Sequence, residues 1–422
     1  MSEFNLGRRR IMQIAGAGLL MPSLAPAVIA SVKDRPQLTD GVQSGDLLGD
    51  KAMIWSRSDR PARMVVEWDT RSMFSNPRRS VSPLADARTD FTARVELTGL
   101  PANQAIFYRV TFEDAQSGAA SEPWFGHLRS APSQRRDIRF VWSGDTVGQG
   151  FGINPDIGGM RIYEAMRLRL PDFFIHSGDT IYADGPVPAQ LTVEDGRIWR
   201  NLTTEAKSKV AETLDEYRGN YRYNLMDENL RRFNAEVPQI WQWDDHEVVN
   251  NWSPSKQLDE RYVVKDIQTL VGRARQAWLE YSPMRRQSAD GGGRIYRKLS
   301  YGPLLDVFVL DMRSYRGPND DNLGGEKPFL GREQLDWLKR ELKDSSAQWK
   351  VVAADMPIGL GVPDGEVSPG VARWEAIANG DPGSAQGREL EIAELLAYLR
   401  KHQVRNHVWL TADVHYLSLI HI

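Results

Sequence analysis

Five short apolar segments of this 422-residue chain each run into an acidic residue or a histidine, and this recurrence constrains the fold more than any other feature. The segments end at Asp145, Asp179, Asp244-Asp245-His246-Glu247, Asp355 and Asp413-x-His415. Amphipathic helical patterns such as Arg332–Leu342 lie between them. Strands that alternate with helices indicate an α/β domain, in which ligand sites form outside the carboxyl ends of the strands. The sequence therefore predicts one site that collects side chains from five separate segments.

A metal centre is the simplest use of such a site. Carboxylates that converge repel one another and raise each other's pKa values unless cations neutralise them. The chain has no cysteine, which excludes disulfides, thiolate ligands and cysteine nucleophiles. Oxygen-rich ligation with one or two imidazoles suits calcium, or iron and manganese, better than zinc alone.

Each motif has an ordinary structural explanation when it is taken alone. A Gly-Asp pair after a strand is usually a turn or a helix N-cap, and Asp244–Glu247 could be a solvated charged turn. His176 lies within a strand, where side chains alternate between faces, and we expect it in the core or behind the ligands. The prediction of a site depends on the recurrence at strand ends.

The first 30 residues have the pattern of an export signal. Paired arginines in Gly7-Arg8-Arg9-Arg10-Ile11-Met12 precede the apolar stretch Ile14–Ile29, which is typical of a twin-arginine signal peptide. We expect export by the twin-arginine machinery to the periplasm or the exterior, and no stable membrane span. The net charge of -3 gives no basis for specific nucleic-acid binding.

Residues 38–130 have an all-β pattern. Short runs rich in β-branched and aromatic residues, such as Met64–Trp68 and Ile106–Thr111, are separated by turn signals. Their length and spacing predict a small β-sandwich of the immunoglobulin or fibronectin type III kind. This region contains no cluster of chemically active residues, so we expect it to have a structural or docking role.

The order of the motifs resembles the calcineurin-like metallophosphoesterases and, within them, the PhoD-like alkaline phosphatase family. The motifs that carry the resemblance are Gly41-Val42-Gln43-Ser44-Gly45-Asp46, Gly178-Asp179-x-x-Tyr182, Trp243-Asp244-Asp245-His246-Glu247, Leu310-Asp311-x-Arg313 and Asp413-x-His415. The resemblance implies an αββα metallophosphoesterase sandwich over residues 136–422. It would follow the signal peptide, 1–30, and the small all-β domain, 38–130.

The resemblance also implies the ligands and roles of individual residues. It implies two or more metal ions, with calcium or iron favoured and manganese or zinc as alternatives, held by Asp145, Asp179, Tyr182, Asp245, Asp355, Asp413 and His415. His246 is the candidate for protonating the leaving group or holding the phosphate, and Asp245 for ligating or orienting. Arg313 could hold phosphate oxygens, or it could form a buried ion pair with Asp311. Metal ions lower the pKa of bound water from 15.7 toward roughly 7, which would supply the hydroxide that attacks the ester.

Two features depart from the family pattern. Family members with an iron–calcium cluster carry a cysteine ligand, which this chain lacks, and the family continues well past the final Asp-x-His motif. We therefore expect a chain that is shortened at its C-terminus.

The function predicted from the sequence is that of an exported, metal-dependent phosphoesterase acting on small-molecule phosphate mono- or diesters. Two alternatives stay open at this point. One is a glycoside hydrolase that uses two of the carboxylates Asp244, Asp245 and Glu247. The other is an exported calcium-binding protein without enzymatic activity.

Overall fold

The computed structural model describes residues 35–286 and 293–415, so the expected signal peptide over 1–30 and the expected C-terminal shortening lie outside the described residues. The strands are β1 (Val42–Leu48), β2 (Lys51–Arg57), β3 (Ala62–Asp69), β4 (Arg78–Ala85), β5 (Thr92–Leu97), β6 (Ala105–Asp114), β7 (Trp124–Arg129), β8 (Phe140–Ser143), β9 (Phe173–Ser177), β10 (Gln190–Thr192), β11 (Ile198–Arg200), β12 (Gln239–Gln242), β13 (Arg297–Tyr301), β14 (Leu305–Val309), β15 (Trp349–Ala353), β16 (Pro363–Ser368), β17 (Val371–Trp374) and β18 (His407–Leu410). The α-helices are α1 (Arg161–Arg167), α2 (Leu214–Asn224), α3 (Glu228–Glu236), α4 (Ile267–Tyr281), α5 (Arg332–Asp344) and α6 (Glu389–Lys401).

Two mixed sheets form the centre of the molecule. The first has the strand order β5-β2-β1-β12-β9-β8, in which β1, β12, β9 and β8 run parallel and β2 and β5 antiparallel to their neighbours. The second has the order β13-β14-β15-β18, with β14, β15 and β18 parallel and β13 antiparallel at the edge. The alternation of strands and helices, which the five apolar segments and the helical patterns between them predicted, is present.

Alternate residues along the strands pack into different cores, which makes the arrangement four layers deep. Ile175 of the first sheet and Val307 of the second share one core between the sheets. Their neighbours Phe174 and Phe308 point to the opposite faces, where they pack in two further cores with residues of α2–α4 and of α5–α6. The two sheets therefore lie face to face, with helices covering both outer faces.

The helices begin where the sequence provides caps. Helix α2 starts with a capping box, because Thr213 accepts a hydrogen bond from the Glu216 backbone N–H while the Glu216 carboxylate accepts one from the Thr213 backbone N–H. Asp266 caps the start of helix α4, and its side chain accepts hydrogen bonds from two backbone N–H groups of the first turn. Among the described residues, no helix has both the length and the apolar composition needed to cross a bilayer.

The strands of the N-terminal region are divided between two sheets. Strands β4-β3-β6-β7 form a sheet of their own, whereas β5, β2 and β1 continue the first central sheet through the pairing of β1 with β12. This junction is tight at Gly45, where a Cβ would lie 2.7 Å from the carbonyl oxygens of Gln239 and Pro283. The first central sheet is therefore built from both the N-terminal and the later part of the chain.

The parallel strands bring the predicted residues to one edge. Strands β8, β9 and β12 of the first sheet end just before Asp145, Asp179 and Asp244, and strands β15 and β18 of the second end just before Asp355 and Asp413. Because parallel strands present their carboxyl ends at the same edge, the fold collects the acidic residues there.

Candidate active site

A cavity of about 330 Å³ opens at this edge. The residues that line it are Gln149, Asp179, Tyr182, Asp184, Gly185, Asp245, His246, Asn250, Asn251, Val362, Glu375, Asp413 and His415. No lysine or arginine lines it among the described residues, whereas five carboxylates do. The cavity is therefore strongly acidic.

One group of potential ligands joins the ends of three strands. The ligand atoms of Asp145, Asp179 and His415 all lie within 4.8 Å of one another. The Tyr182 hydroxyl donates a hydrogen bond to Asp145 Oδ2, and His415 Nε2 lies 2.9 Å from the same oxygen and 3.1 Å from the Tyr182 hydroxyl. The Gln149 amide, on the loop after β8, lies 3.1 Å from His415 Nδ1. Two carboxylates, an imidazole and a phenol thus surround one position.

Two further groups follow, each of which shares one residue with the group before it. Asp179 also groups with Asp245 and His246, and Asp245 groups in turn with Asp244 and Asp413, again with all ligand atoms within 4.8 Å. Asp179 Oδ1 accepts a hydrogen bond of 3.0 Å from the His246 backbone N–H, which fixes the distance between the two loops. Asp179 is therefore placed where it can contact cations on two sides.

The backbone of these loops is bent in the same unusual way at four of the predicted ligands. Asp145, Asp179, Asp413 and His415 have φ angles of 61°, 52°, 69° and 54°, in the left-handed region. Aspartate and histidine tolerate this region better than most residues, but it is still sparsely populated. Such conformations concentrate at functional sites, where the surrounding structure holds them in place.

The electrostatics of the cavity favour bound cations. Burial and the neighbouring carboxylates Asp244 and Asp245 raise the pKa of Asp179 well above its usual range. Burial and the carboxylate of Glu375 do the same to the pKa of Asp413. Asp244 Oδ2 and Asp245 Oδ1 are buried and have no hydrogen-bond partner among the described residues. Unpaired buried carboxylate oxygens are costly, and hard cations with oxygen and nitrogen ligands would satisfy them, so the donor set fits a metal centre.

His246 is held rigidly at the cavity wall. Its ring stacks on Tyr182 at a centroid distance of 4.0 Å, and its Nδ1 lies 2.7 Å from Asp184 Oδ1. The second Asp184 oxygen accepts a hydrogen bond of 2.9 Å from the Asn250 backbone N–H. Burial lowers the pKa of His246, but the carboxylates of Asp245 and Asp184 outweigh this effect and raise it to about 9. Without bound metal, His246 is therefore a cation at neutral pH.

Glu247 is a supporting residue beneath the cavity and does not line it. Its buried carboxylate accepts hydrogen bonds from the backbone N–H groups of Asp179, Thr180 and Asp244, at 3.2, 2.6 and 2.8 Å. Three backbone donors on one carboxylate fix the loops after β9 and β12 relative to each other.

Arg313 and Asp355 lie behind the cavity, and neither lines it. The Arg313 side chain is 0% exposed and donates hydrogen bonds to four carboxylates, three of them at 2.5–3.2 Å. These carboxylates belong to Asp244, Asp355, Glu375 and Asp413. The Asp311 carboxylate accepts from Trp243 Nε1 and from the backbone N–H groups of Arg313 and Ser314, and not from the Arg313 guanidinium. The buried ion pairs of Arg313 are therefore made with other partners than the one predicted. The Asp355 oxygens accept from Gln242 and Arg313, at 3.1 and 3.2 Å.

Sequence reasoning missed several residues that line the cavity. Asp184 follows Asp179 by five residues in the same loop, so its proximity could have been anticipated. Glu375 follows the hairpin of β16 and β17, and Gln149 lies on the loop after β8. Neither belongs to a sequence motif that would have indicated its position. His176, by contrast, lies in the interior with 4% exposure, in keeping with a position in the core.

The chain is similar to known proteins in sequence and in structure. A family model described as PhoD-like phosphatase matches residues 140–422, and the model of the N-terminal domain of the same family matches residues 23–132. Alkaline phosphatase D of Bacillus subtilis (strain 168) is 27% identical over 457 residues, which cover 98% of this chain and 72% of that protein.

Two solved structures share the fold. The structure of PhoD superposes with a TM-score of 0.70 at 25% identity and covers 90% of this chain and 72% of the other. The purple acid phosphatase PPD1 from yellow lupin (Lupinus luteus) seeds gives a TM-score of 0.52 at 14% identity, covering 89% and 57%. The second similarity establishes a shared fold alone.

The family match covers more than half of the chain, and the acidic groups of the cavity agree with it. It decides against the glycoside hydrolase and against the calcium-binding protein without enzymatic activity. The chain belongs to the PhoD-like phosphatase family and is a metal-dependent phosphoric ester hydrolase.

Proposed function

We propose that the cavity hydrolyses small-molecule phosphate mono- or diesters with two metal ions that share Asp179. The residues that would hold the ions are Asp145, Asp179, Tyr182, Asp245, Asp413 and His415. The observation that carries the proposal is that a carboxylate oxygen of Asp179 lies within 4.8 Å of ligand atoms of Asp145 and His415, and likewise within 4.8 Å of a carboxylate oxygen of Asp245. When bound, the ions would polarise the phosphoryl oxygens and lower the pKa of a coordinated water.

The identity of the ions is a finer part of the same proposal. We favour calcium or iron, with manganese and zinc as alternatives, because all proposed ligands offer oxygen or imidazole nitrogen. The phenol of Tyr182, which donates to Asp145, would have to lose its proton to bind an ion. Burial and the carboxylates of Asp179 and Asp145 raise the pKa of Tyr182 far above its usual range, so only a strongly polarising cation would achieve this.

His246 is the proposed proton donor to the leaving oxygen. It lines the cavity, and the contact of Nδ1 with Asp184 leaves Nε2 for the ester. Asp184 orients the ring and stabilises its protonated form, and the stack on Tyr182 restricts its rotation. A positioned general acid of this kind typically contributes about 10²–10⁴-fold to the rate.

Arg313 is proposed to neutralise the carboxylates behind the cavity and not to hold the phosphate. It is fully buried and contacts four carboxylates, so its guanidinium is already saturated with acceptors. Asp355 is left out of the proposed ligand set because both its oxygens accept hydrogen bonds from buried side chains, Gln242 and Arg313, that do not line the cavity.

The organisation and destination of the chain are proposed from its sequence. The N-terminal residues 1–30 would direct export through the twin-arginine machinery to the periplasm or the exterior. The small β-sandwich of residues 38–130 and the αββα region from residue 136 would then form the exported enzyme. The match of the N-terminal family model to residues 23–132 supports this division.

The decisive experiment measures metal content and turnover together. Elemental analysis of the purified protein is expected to show two or more ions per chain, and both a monoester and a diester are assayed. Asp179→Ala is expected to lose at least one ion and nearly all turnover, whereas Asp195→Ala, on the exposed turn between β10 and β11, retains both. Full turnover by Asp179→Ala at saturating metal would refute the assignment.

The role of His246 is tested with esters of good and poor leaving groups. His246→Ala is expected to slow the ester with the poor leaving group far more, because only that ester needs a proton on the departing oxygen. An equal loss on both esters would argue against proton donation.

A further inference from the structure

A second, internal cavity lies directly behind the loop that carries Asp145. Its volume is about 30 Å³, and every residue that lines it is buried. It lies between one face of the first central sheet, which contributes Gln43, His176 and Trp241, and the helical layer, which contributes Tyr221 of α2. Strand β1 of the N-terminal region therefore reaches this cavity through Gln43.

Four of the residues that line the cavity carry buried polar atoms without partners. Gln43 Oε1 and Nε2, His176 Nδ1, Tyr221 Oη and Trp241 Nε1 are all buried and have no hydrogen-bond partner among the described residues. Five such atoms on the residues that line one small space are unusual, because buried polar groups are almost always paired with protein or with ordered water. A buried water needs at least 10–15 Å³ and two to four polar partners, so about two waters match both the volume and the number of atoms.

The same cavity is connected to the active site by a short chain of hydrogen bonds. His176 Nε2 lies 2.8 Å from Thr146 Oγ1, which lies 2.6 Å from the Tyr163 hydroxyl. Thr146 directly follows Asp145, and its backbone N–H donates to the Asp179 carbonyl at 2.8 Å. The position of His176 therefore influences the loop that holds two of the proposed ligands.

We propose that this cavity is a structural water site that belongs to the metal centre. About two ordered waters bridge Gln43, Tyr221 and Trp241 to His176 Nδ1, and the bridged His176 holds Thr146, and with it the left-handed backbone of Asp145. Gln43 and Tyr221 are then positioning residues for the metal centre. The presence of the waters does not depend on the proposed function, whereas their effect on metal binding rests on it.

The first test is a high-resolution crystal structure of the whole chain. We expect about two ordered waters, each within hydrogen-bond distance of at least two of the five polar atoms. A cavity without water density would overturn the proposal, as would a Gln43 amide that bonds other protein groups. This outcome does not depend on whether the protein hydrolyses any ester.

The second test uses two tyrosines of helix α2 as a matched pair. Tyr221 and Tyr217 are both buried with unpartnered hydroxyls among the described residues, but only Tyr221 lines the cavity. Tyr221→Phe is expected to lose one water contact and to weaken the binding of Mn²⁺ or Ca²⁺ about 3–10-fold, less than the 10–100-fold typical of residues that contact a metal ligand directly. Tyr217→Phe is expected to bind these ions as the parent does.

Gln43→Met is the second variant, since it removes both amide atoms at nearly constant volume. It is expected to weaken metal binding at least as much as Tyr221→Phe. Metal-free protein is titrated by calorimetry, and urea unfolding confirms that each variant is folded. Equal affinities for parent, Tyr221→Phe and Gln43→Met would overturn the positioning role. A parent chain that binds neither ion would instead count against the proposed function, with the crystal structure still deciding the water site.

Discussion

Replacement of Arg313 by glutamine separates its two possible roles more clearly than any other change. If Arg313 neutralises the buried carboxylates, Arg313→Gln leaves Asp244, Asp355, Glu375 and Asp413 without their cation. If it held the phosphate, the same change would raise KM and leave the fold largely intact. The structure supports the first outcome, because the side chain is 0% exposed and does not line the cavity.

The size of the effect follows from the burial of the partners. Loss of one partner of a buried ion pair costs about 3–5 kcal/mol in the free energy of unfolding, and we expect Arg313→Gln to reach that range in metal-free protein near neutral pH. Burial raises the pKa of Asp244 to about 6 in spite of Arg313, and without Arg313 it would rise further. A folded-state pKa above the unfolded value means that the folded state binds more protons. The loss of unfolding free energy caused by Arg313→Gln should therefore be smallest below about pH 4, near the unfolded pKa of aspartate, and should grow as pH rises through 6.

Urea unfolding of metal-free protein at several pH values measures this loss directly. Arg316→Gln is the matched control, because Arg316 is equally buried but donates to Asn319 and to the Glu375 carbonyl, and no carboxylate accepts from it among the described residues. Arg316→Gln should lose less unfolding free energy than Arg313→Gln, and that loss should be nearly independent of pH. A loss below about 1 kcal/mol for Arg313→Gln, combined with a raised KM, would refute the neutralising role and restore the phosphate contact.

Three further predictions concern other parts of the structure. Gly148→Ala should lower kcat/KM at least tenfold, because the added Cβ would lie 2.6 Å from the Tyr182 ring. The control is Gly272→Ala in helix α4, where no atom lies within 4 Å of the added Cβ. It should leave kcat/KM unchanged and stabilise the fold by about 0.5–1 kcal/mol. Asp90→Ala should lower the urea midpoint without changing the metal content, because the Asp90 carboxylate accepts hydrogen bonds from Arg57 and from residues of α2 and α4. These partners lower the pKa of Asp90 against the effect of burial, so the stabilisation is present above the unfolded pKa and is lost as pH falls through the folded pKa. An unchanged urea midpoint at neutral pH would contradict this prediction. Metal-free protein should become less stable as pH rises from about 4 to 7, because buried carboxylates of the cavity have raised pKa values. Metal-loaded protein should show the opposite trend, since metal competes with protons for the same oxygens. Thermal unfolding with and without chelator measures how stability changes with pH in both forms, and equal pH dependences would contradict the metal centre.

The strands and helices that the sequence predicted are those with simple hydrophobic patterns. The predicted helix Arg332–Leu342 corresponds to α5, in which Leu335, Leu338 and Leu342 are fully buried. Strand β1 was not predicted, because Gln43, Ser44, Gly45 and Asp46 resemble a turn, although the strand is central and buried. Its polar residues are compensated by partners far along the chain: Asp46, for example, pairs with Arg297 at 2.7 Å. Such pairings depend on tertiary structure and leave no local pattern.

The sequence predicted the residues of the candidate site that directly follow the ends of strands. Asp179, Asp245, Asp413 and His415 occupy one cavity because parallel strands present their ends together. The sequence could not show that the Asp355 oxygens accept from Gln242 and from a buried arginine, since that depends on which way a side chain turns after its strand. The roles proposed for these residues stay predictions until metal content and turnover are measured.

The pairing of β1 with β12 limits how this protein can be rearranged. A polypeptide beginning at residue 136 would expose the edge of β12, remove Gln43 from beneath the active-site loop and leave Arg297 without its aspartate. Neither the N-terminal strands nor the catalytic region could be exchanged between relatives as an independent domain. Recombination within the family should therefore preserve matched pairs of N-terminal strands and catalytic regions, and chimeras that break those pairs should accumulate as insoluble protein.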